Sequence, residues 1–402
     1  MEDNQHKSYR IMVFSWNTES ISLCETMDEE VAKSNRTSWG GINFFGIGAT
    51  TWQYKCDIPD FYPKLADFIQ RNSPEIVVIG FQEDRFPGSY FHSHLLTNEM
   101  PKIGYGLVKR TKLMGVGITS YKNTIKGDPH ERGLRVSIYA KSELVPIIEK
   151  EETEMRAAIG NDGQEEYLCS SFVTRGKGAT VSYLMLPGLG RLAFICCHLP
   201  FNARSIFTER MYNNRMLRQN ELNQSNVCFN NIIENLVLFK NPVPTYVIYF
   251  GDFNYRLADP RPASKVADEL NERFDDTVLI HDLYIEYDEL KEQMRRKNIY
   301  EFSEGVSNQG PLFVPTCKMV KGRITGTCYS DEKDYPQAYE GKDCWKTGKI
   351  DQRVPSWCDR ILYQKFGDDP HNLICTYYNR FDVGDTMSKS DHAGVLSMFE
   401  IA

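Results

Sequence analysis

Apolar residues along this chain fall in short runs rich in β-branched and aromatic side chains, broken by polar turns, as expected of buried strands. This pattern predicts strands at Tyr9–Asn17, Ile76–Gln82, Tyr105–Lys109, Gly115–Tyr121, Leu168–Val173, Thr180–Leu186, Arg191–His198, Val243–Phe250, Asp359–Tyr363, Leu373–Tyr377 and Gly394–Ile401. Helices are predicted over Pro59–Asn72, Phe207–Lys240, Ala263–Phe274 and Tyr284–Lys297. In the third, Val266, Leu270 and Phe274 recur at i, i+4 and i+8, a core-facing stripe. Many strands with helices between some of them predict a layered α/β sandwich. No Pro/Gly/Ser linker divides the chain, so residues 9–402 are expected to form one domain after a short tail, 1–8.

Several of these strands end in polar groups suited to chemistry. Val243–Phe250 runs into Gly251-Asp-Phe-Asn-Tyr-Arg256. In extended conformation Asp252, Asn254 and Arg256 would share one face. A carboxylate, an amide and a guanidinium on one face supply a base for water, a positioning group and an anion clamp. A second dense run is Arg353-Val-Pro-Ser-Trp-Cys-Asp-Arg-Ile-Leu362. Asn17, Glu83 and His198 stand at the ends of three further strands.

Composition narrows the choice. The 402 residues are 41% hydrophobic and 25% charged, ample for a large core. A net charge of −7 does not recruit anions in bulk, so phosphate binding must come from a local cluster of Lys and Arg; nucleic-acid binding driven by overall charge is disfavoured. The 11 cysteines are scattered, odd in number and without C-x-x-C pairs, which predicts reduced thiols in an intracellular protein. Cys196 and Cys197, adjacent in a strand, should face opposite ways. With no signal-like core at the N-terminus and no apolar run able to span a bilayer, the expectation is a soluble cytoplasmic monomer.

The two dense runs resemble the signature motifs W-x-G-D-x-N-[FY]-R and P-[AS]-W-C-D-R-[IV]-L of the inositol polyphosphate 5-phosphatases, in the family's order. Phe14-Ser-Trp-Asn17, Gly80-Phe-Gln-Glu83, Cys197-His-Leu199 and Ser390-Asp-His392 resemble four more of its segments. The resemblance implies the endonuclease/exonuclease/phosphatase fold, a four-layered α/β sandwich with two packed mixed β-sheets. It implies Mg²⁺ held by Asn17 and Glu83, a hard-oxygen pair suited to that ion. Asp252 would take a proton from the attacking water and Asn254 would place it. His392, oriented by Asp359, and His198 would act at the phosphoryl group, with Asp391 beside them. Tyr255, Arg256, Lys177, Asn220, Lys318, Arg360 and Lys365 would bind substrate. The implied reaction is removal of the 5-phosphate of phosphoinositides, such as phosphatidylinositol 4,5-bisphosphate, or of soluble inositol polyphosphates, by direct attack of water.

The departures gather in the anion-binding half. Asn202 replaces the second His of S-H-L-A-A-H, and Gly394 replaces the Pro of S-D-H-x-P-V. Cys317 and Met319 replace both aromatics of P-T-Y-K-Y. Asp351 replaces the Lys of K-x-R-x-P, and Gln364 stands where a Lys is usual, with Lys365 next to it. The family grips the 4-phosphate with the P-T-Y-K-Y turn, the K-x-R-x-P segment and the lysine after the W-C-D-R-I-L strand, so relaxed dependence on that group is expected, with Lys365 recovering part of it. The glycine-rich, aromatic stretch Trp39–Trp52 and Phe86–Phe91 are candidate membrane-contacting loops, against the plainer reading of loops tucked on the sandwich. Two rival readings are a metal-dependent nuclease of the same fold and a catalytically silent phosphoinositide-binding module.

Overall fold

The computed structural model describes residues 8–19, 25–26, 54–55, 58–85, 96–114, 132–148, 164–168, 177–186, 188–200, 214–322, 339, 344–346, 349–351 and 354–402. After β1 (Tyr9–Asn17) come a two-residue ribbon, β2 (Glu25–Thr26) with β3 (Tyr54–Lys55), then helix α1 (Tyr62–Asn72) and β4 (Ile76–Arg85). β5 (Tyr105–Met114), β6 (Arg132–Lys141), β7 (Gln164–Leu168), β8 (Gly178–Met185) and β9 (Arg191–His198) lead to α2 (Asn214–Ile233) and β10 (Tyr246–Asp252). Helices α3 (Ala263–Glu272), α4 (Thr277–Tyr287) and α5 (Glu289–Arg295) precede β11 (Ser303–Glu304). A ribbon of β12 (Cys344–Lys346) and β13 (Lys349–Asp351) is followed by β14 (Asp359–Lys365), β15 (Leu373–Phe381) and β16 (Gly394–Ile401).

The strands form two six-stranded sheets with one plan. The first runs β15-β16-β1-β4-β6-β5 and the second β11-β14-β10-β9-β8-β7. Each is antiparallel except for a parallel pair near its middle, β1 with β4 and β9 with β10. Parallel strands are buried on both faces, which is why these four read as unbroken apolar runs. Val13, Val78 and Ile138 of the first sheet join Phe194, Ile248, Phe250 and Ile361 of the second in the core between them. Gly80 makes room for that contact, since a Cβ there would lie 2.5 Å from the Phe250 ring. α1 covers the outer face of the first sheet through Leu65, Phe68 and Ile69, and α2 covers the second through Phe229, Ile232 and Ile233. These are the four layers expected.

Several predicted boundaries shift. β6 was not expected, because Arg135 interrupts its apolar run; Arg135 is 8% exposed and pairs at 2.5 Å with Asp84 on β4. The expected helix Tyr284–Lys297 is two helices. Asp288 between them has ψ 118°, and its carboxylate caps α5 by accepting from Lys291 N at 2.9 Å. The predicted strand Gly115–Tyr121, most of Leu168–Val173 and both candidate membrane loops lie outside the described residues. Cys196 faces the inter-sheet core and Cys197 the outer one, as the alternation required. Cys228 on α2 is disulfide-bonded, which corrects the expectation of uniformly reduced cysteines. Among the described residues no helix is long and apolar enough to cross a membrane.

Candidate active site

Both parallel pairs end at one rim, and the register decides what stands there. Asn17 pairs with Gln82 at the ends of β1 and β4. Asp252 lies between His198 on β9 and Asp359 on β14. The two sheets meet where the Asn17 amide donates to Asp252 Oδ2 at 2.8 Å. Gly251 brings Asp252 close against β9: its φ is +134°, and a Cβ there would lie 2.1 Å from the Cys197 carbonyl oxygen.

Asp252 is 2% exposed. Its other oxygen accepts from Asn254 N at 2.9 Å, and His198 Nε2 lies 3.2 Å from Oδ2. Burial alone would raise this carboxyl, but His198, His392 and Lys177 outweigh it and hold the group far below the usual carboxylate range. Burial and the neighbouring Lys177 ammonium depress His198, leaving a neutral imidazole at neutral pH. Lys177 Nζ touches His198 Nε2, and Glu83 Oε1 lies 3.8 Å from the same nitrogen. Glu83 follows Gln82 in a β-bulge and has φ +51°, a left-handed conformation that costs a non-glycine residue free energy and re-aims its side chain.

The second half of the cluster comes from the segment before β16. His392 Nδ1 lies 2.8 Å from Asp359 Oδ2, and Thr316 Oγ1 donates to the same oxygen at 2.8 Å. Burial disfavours a charged His392, yet the Asp359 carboxylate and Cys317 overcome it and raise the imidazole well above its ordinary range. Burial pushes the Asp359 carboxyl up to about 6, with His392 working against the rise. At neutral pH the two therefore stand as an ion pair. Ser390 ties this segment to β1: its hydroxyl donates to the Asn17 carbonyl at 2.8 Å and accepts from His392 N at 3.1 Å. Asp391 N donates to Glu19 Oε2 at 3.1 Å, and the Asp391 carboxylate is paired with Lys318. Carboxylate oxygens of Asp252 and Asp359 and a ring nitrogen of His392 all lie within 4.8 Å of one another.

The structure thus gathers Asn17, Glu83, Lys177, His198, Asp252, Asn254, Asp359, Asp391, His392 and Lys318 at one rim. Arg256 joins them by a turn and not by the extended alternation expected. Asn254 has φ +57°, and its side-chain oxygen accepts from Arg256 Nη2 at 3.0 Å. Three expected substrate contacts are corrected. Tyr255 is fully buried under the second sheet, its hydroxyl donating to Asn226 Oδ1 at 2.9 Å. Arg360 is also fully buried, donating to Glu304 Oε1 at 2.6 Å and Asp288 Oδ2 at 2.9 Å. Lys365 pairs with Tyr246 at the opposite end of β10 from Asp252. Six residues of strand put it about 20 Å from the cluster, and its ammonium is bound to the Asp369 carbonyl. Asn220 is exposed on α2, while Asn202 and Arg353 lie outside the described residues. The reading from sequence missed Thr316 and Ser390. Both stand inside motifs it had quoted, and hydroxyls beside a strand-end Asp and His were the available signal.

A model of the endonuclease/exonuclease/phosphatase family 2 matches residues 15–398. The chain belongs to that family. It is 23% identical over 277 residues to a phosphatidylinositol 3,4,5-trisphosphate 5-phosphatase 2B of Danio rerio, a match covering 67% of this chain and 18% of that protein. It is 27% identical over 158 residues to a phosphatidylinositol 3,4,5-trisphosphate 5-phosphatase 1 of Xenopus laevis, covering 39% and 13%. The chain therefore spans only a small part of these relatives' length. Among solved structures, the inositol polyphosphate 5-phosphatase domain of a synaptojanin, crystallised with inositol (1,4)-bisphosphate and calcium, aligns at TM-score 0.53 and 19% identity over 98% of this chain and 84% of that one. A Cimex nitrophorin in its ferrous NO complex aligns at TM-score 0.54 and 14% identity over 98% and 99%. These likenesses establish the two-sheet fold. Within the family the chain is a diverged member resembling the inositol polyphosphate 5-phosphatases.

Proposed function

We propose that this chain is a magnesium-dependent phosphatase that removes the 5-phosphate of a phosphoinositide or soluble inositol polyphosphate by direct attack of water. The observation that carries the reading is the meeting of Asp252, Asn17, His198 and the His392–Asp359 pair at the ends of two parallel strand pairs. The quoted motifs and the 5-phosphatase relatives support it.

The donors at the rim fit the proposed metal. Glu83 and Asn17 offer a carboxylate and an amide oxygen, hard ligands few enough to leave room for water and substrate. The Asn17 oxygen accepts from Glu19 N at 2.9 Å, which leaves its second lone pair. When bound, Mg²⁺ supplies charge against the phosphoryl and leaving oxygens. Asp252 takes the proton of the attacking water. A carboxylate held so low is a weak base on its own, but an entering phosphate draws the charge of Lys177 and His392 to itself and frees Asp252 to rise. His392, kept protonated by Asp359, and neutral His198 donate to the phosphoryl oxygens. Arg256 and Lys177 hold the anion.

With Lys365 at the far end of the sheet and Lys318 paired to Asp391, the elements that would grip a 4-phosphate are thin. The test is phosphate release from inositol phosphates and lipid vesicles with and without a 4-phosphate, beside a plasmid-cleavage control. Release of phosphate with comparable rates for both classes is expected. Plasmid cleavage without phosphate release overturns the activity; a several-hundred-fold preference for the 4,5-bisphosphate overturns the specificity.

A further inference from the structure

A pair of buried thiols stands directly behind the site, and the phosphatase reading makes no use of it. Cys317 replaces an aromatic residue of the resembled P-T-Y-K-Y segment, and Cys358 lies in Pro355-Ser-Trp-Cys358. Both are unbridged, at 2% and 0% exposure. Backbone pairing holds them together: Cys317 N donates to Ser356 O at 3.0 Å, and Cys317 also bridges to His392. Cys358 therefore stands two residues from the backbone partner of Cys317; its thiol donates to the Tyr255 carbonyl at 3.6 Å, and Arg256 Nη1 approaches Cys317 Sγ at 3.7 Å. Arg256 and His392, the residues beside Cys317, are partly buried at the rim, the side from which a small oxidant would have to enter.

We propose that Cys317 and Cys358 form a reversible disulfide on reaction with a peroxide, and that this modification switches the site off. Cys317 is the attacking sulfur. The thiol of Cys358, the His392 imidazolium and the Arg256 guanidinium all favour its thiolate against burial and bring it well below the usual thiol range. Cys358 is pushed the other way by burial, so the two roles separate. In the first step the Cys317 sulfur attacks one peroxide oxygen; the S–O bond forms, the O–O bond breaks, and the departing oxygen leaves as water (from an organic peroxide, as the alcohol). In the second, Cys358 attacks the sulfenic sulfur; the S–S bond forms, the S–O bond breaks and a second molecule of water leaves. The two thiols lose two electrons in all, and the peroxide gains them. The disulfide removes the Cys317 sulfur from Arg256 and His392, so both groups shift from the positions in which they meet phosphate.

The test uses the full chain treated with hydrogen peroxide, followed by differential alkylation and peptide mass mapping, with phosphate release measured in parallel. The expected result is a Cys317–Cys358 cross-linked peptide appearing together with a loss of turnover of about 10- to 100-fold, the scale of one lost charge-assisted hydrogen bond. Dithiothreitol should reverse both. Cys317→Ser and Cys358→Ser should each lose the cross-link and retain their own untreated rates in peroxide. If either variant folds poorly, dithiothreitol reversal on the unaltered chain decides. Thiols that still alkylate after peroxide, oxidation that stops at separate sulfinic acids, or a cross-link with unchanged turnover would each overturn the proposal. The thiol map does not depend on the phosphatase reading, so failure of that reading would show as absent basal turnover with the cross-link intact.

Discussion

Asp252 is held by more contacts than a strand end requires: an amide, a backbone N–H and an imidazole all converge on one carboxylate at 2% exposure. Removing it takes away the base and leaves two donors facing empty space, at a rim and not in the apolar core. Asp252→Ala is therefore expected to lower phosphate release by about 10²–10⁴-fold while its circular dichroism stays that of the folded chain; a folded variant with unimpaired release refutes the assignment. Glu83 argues differently, since its left-handed backbone costs free energy at a bulge that turns its carboxylate toward the rim beside His198. Chelation by EDTA is expected to stop turnover, and Glu83→Gln to raise the Mg²⁺ concentration giving half-maximal rate. Equal Mg²⁺ curves for the two proteins would remove Glu83 from the metal site. At this scale Asn17, His198 and Asp252 were legible because a strand's polarity says which of its ends meets the rim. Tyr255 and Arg360 were not. Each sits one residue from a site side chain, and along β14 one residue is the difference between Asp359 facing the cluster and Arg360 facing the back of the sheet.

The elements explain why Arg360 is nonetheless built into a signature. Its guanidinium joins three segments: its own strand β14, the α4–α5 junction through Asp288, and β11 through Glu304, which Tyr378 of β15 also contacts at 2.9 Å. Burial raises Asp288 to about 6, so its carboxylate needs that guanidinium. Arg360→Leu is expected to cost about 3–5 kcal/mol, because it strands two buried carboxylates; a urea midpoint close to that of the unaltered chain would show that the triad is not holding these segments. Lys365→Ala, at the far end of the same strand, should leave phosphate release unchanged, and a drop in rate with the 4,5-bisphosphate would restore it to the substrate site. Strands with unbroken apolar runs, β1, β9 and β16, matched their predicted spans. β6 escaped because its buried Arg135 reads as surface, and the α4–α5 bend escaped because a capping Asp inside a helical pattern reads as one more polar position.

Across the whole molecule, buried carboxylates away from the rim set how stability follows pH. Burial lifts Asp84 to about 6, against Arg135, and Asp382 to about 7, against Arg380. A carboxyl whose folded pKa exceeds its unfolded value of 3.8 binds its proton longer in the native state. Its contribution is therefore complete below that unfolded value and is lost as pH rises through the folded one. Asp382, with the higher value, dominates the upper part of this window. Asp382→Asn keeps the shape and abolishes the titration. The variant also takes a carboxylate from Arg380, 2.9 Å away, but Arg380 keeps its contacts with the Pro315 carbonyl and the Tyr339 hydroxyl, both at 3.3 Å. The folded value of about 7 already includes the attraction of Arg380, so the loss of that pair is contained in the titration and is not subtracted from it a second time. From pH 5 to pH 8 this titration amounts to about 2–3 kcal/mol. Urea midpoints of the variant should therefore rise relative to those of the unaltered chain between pH 5 and pH 8. A difference that stays flat, or that moves in favour of the unaltered chain, would mean that the ion pair compensates the burial of Asp382 in full.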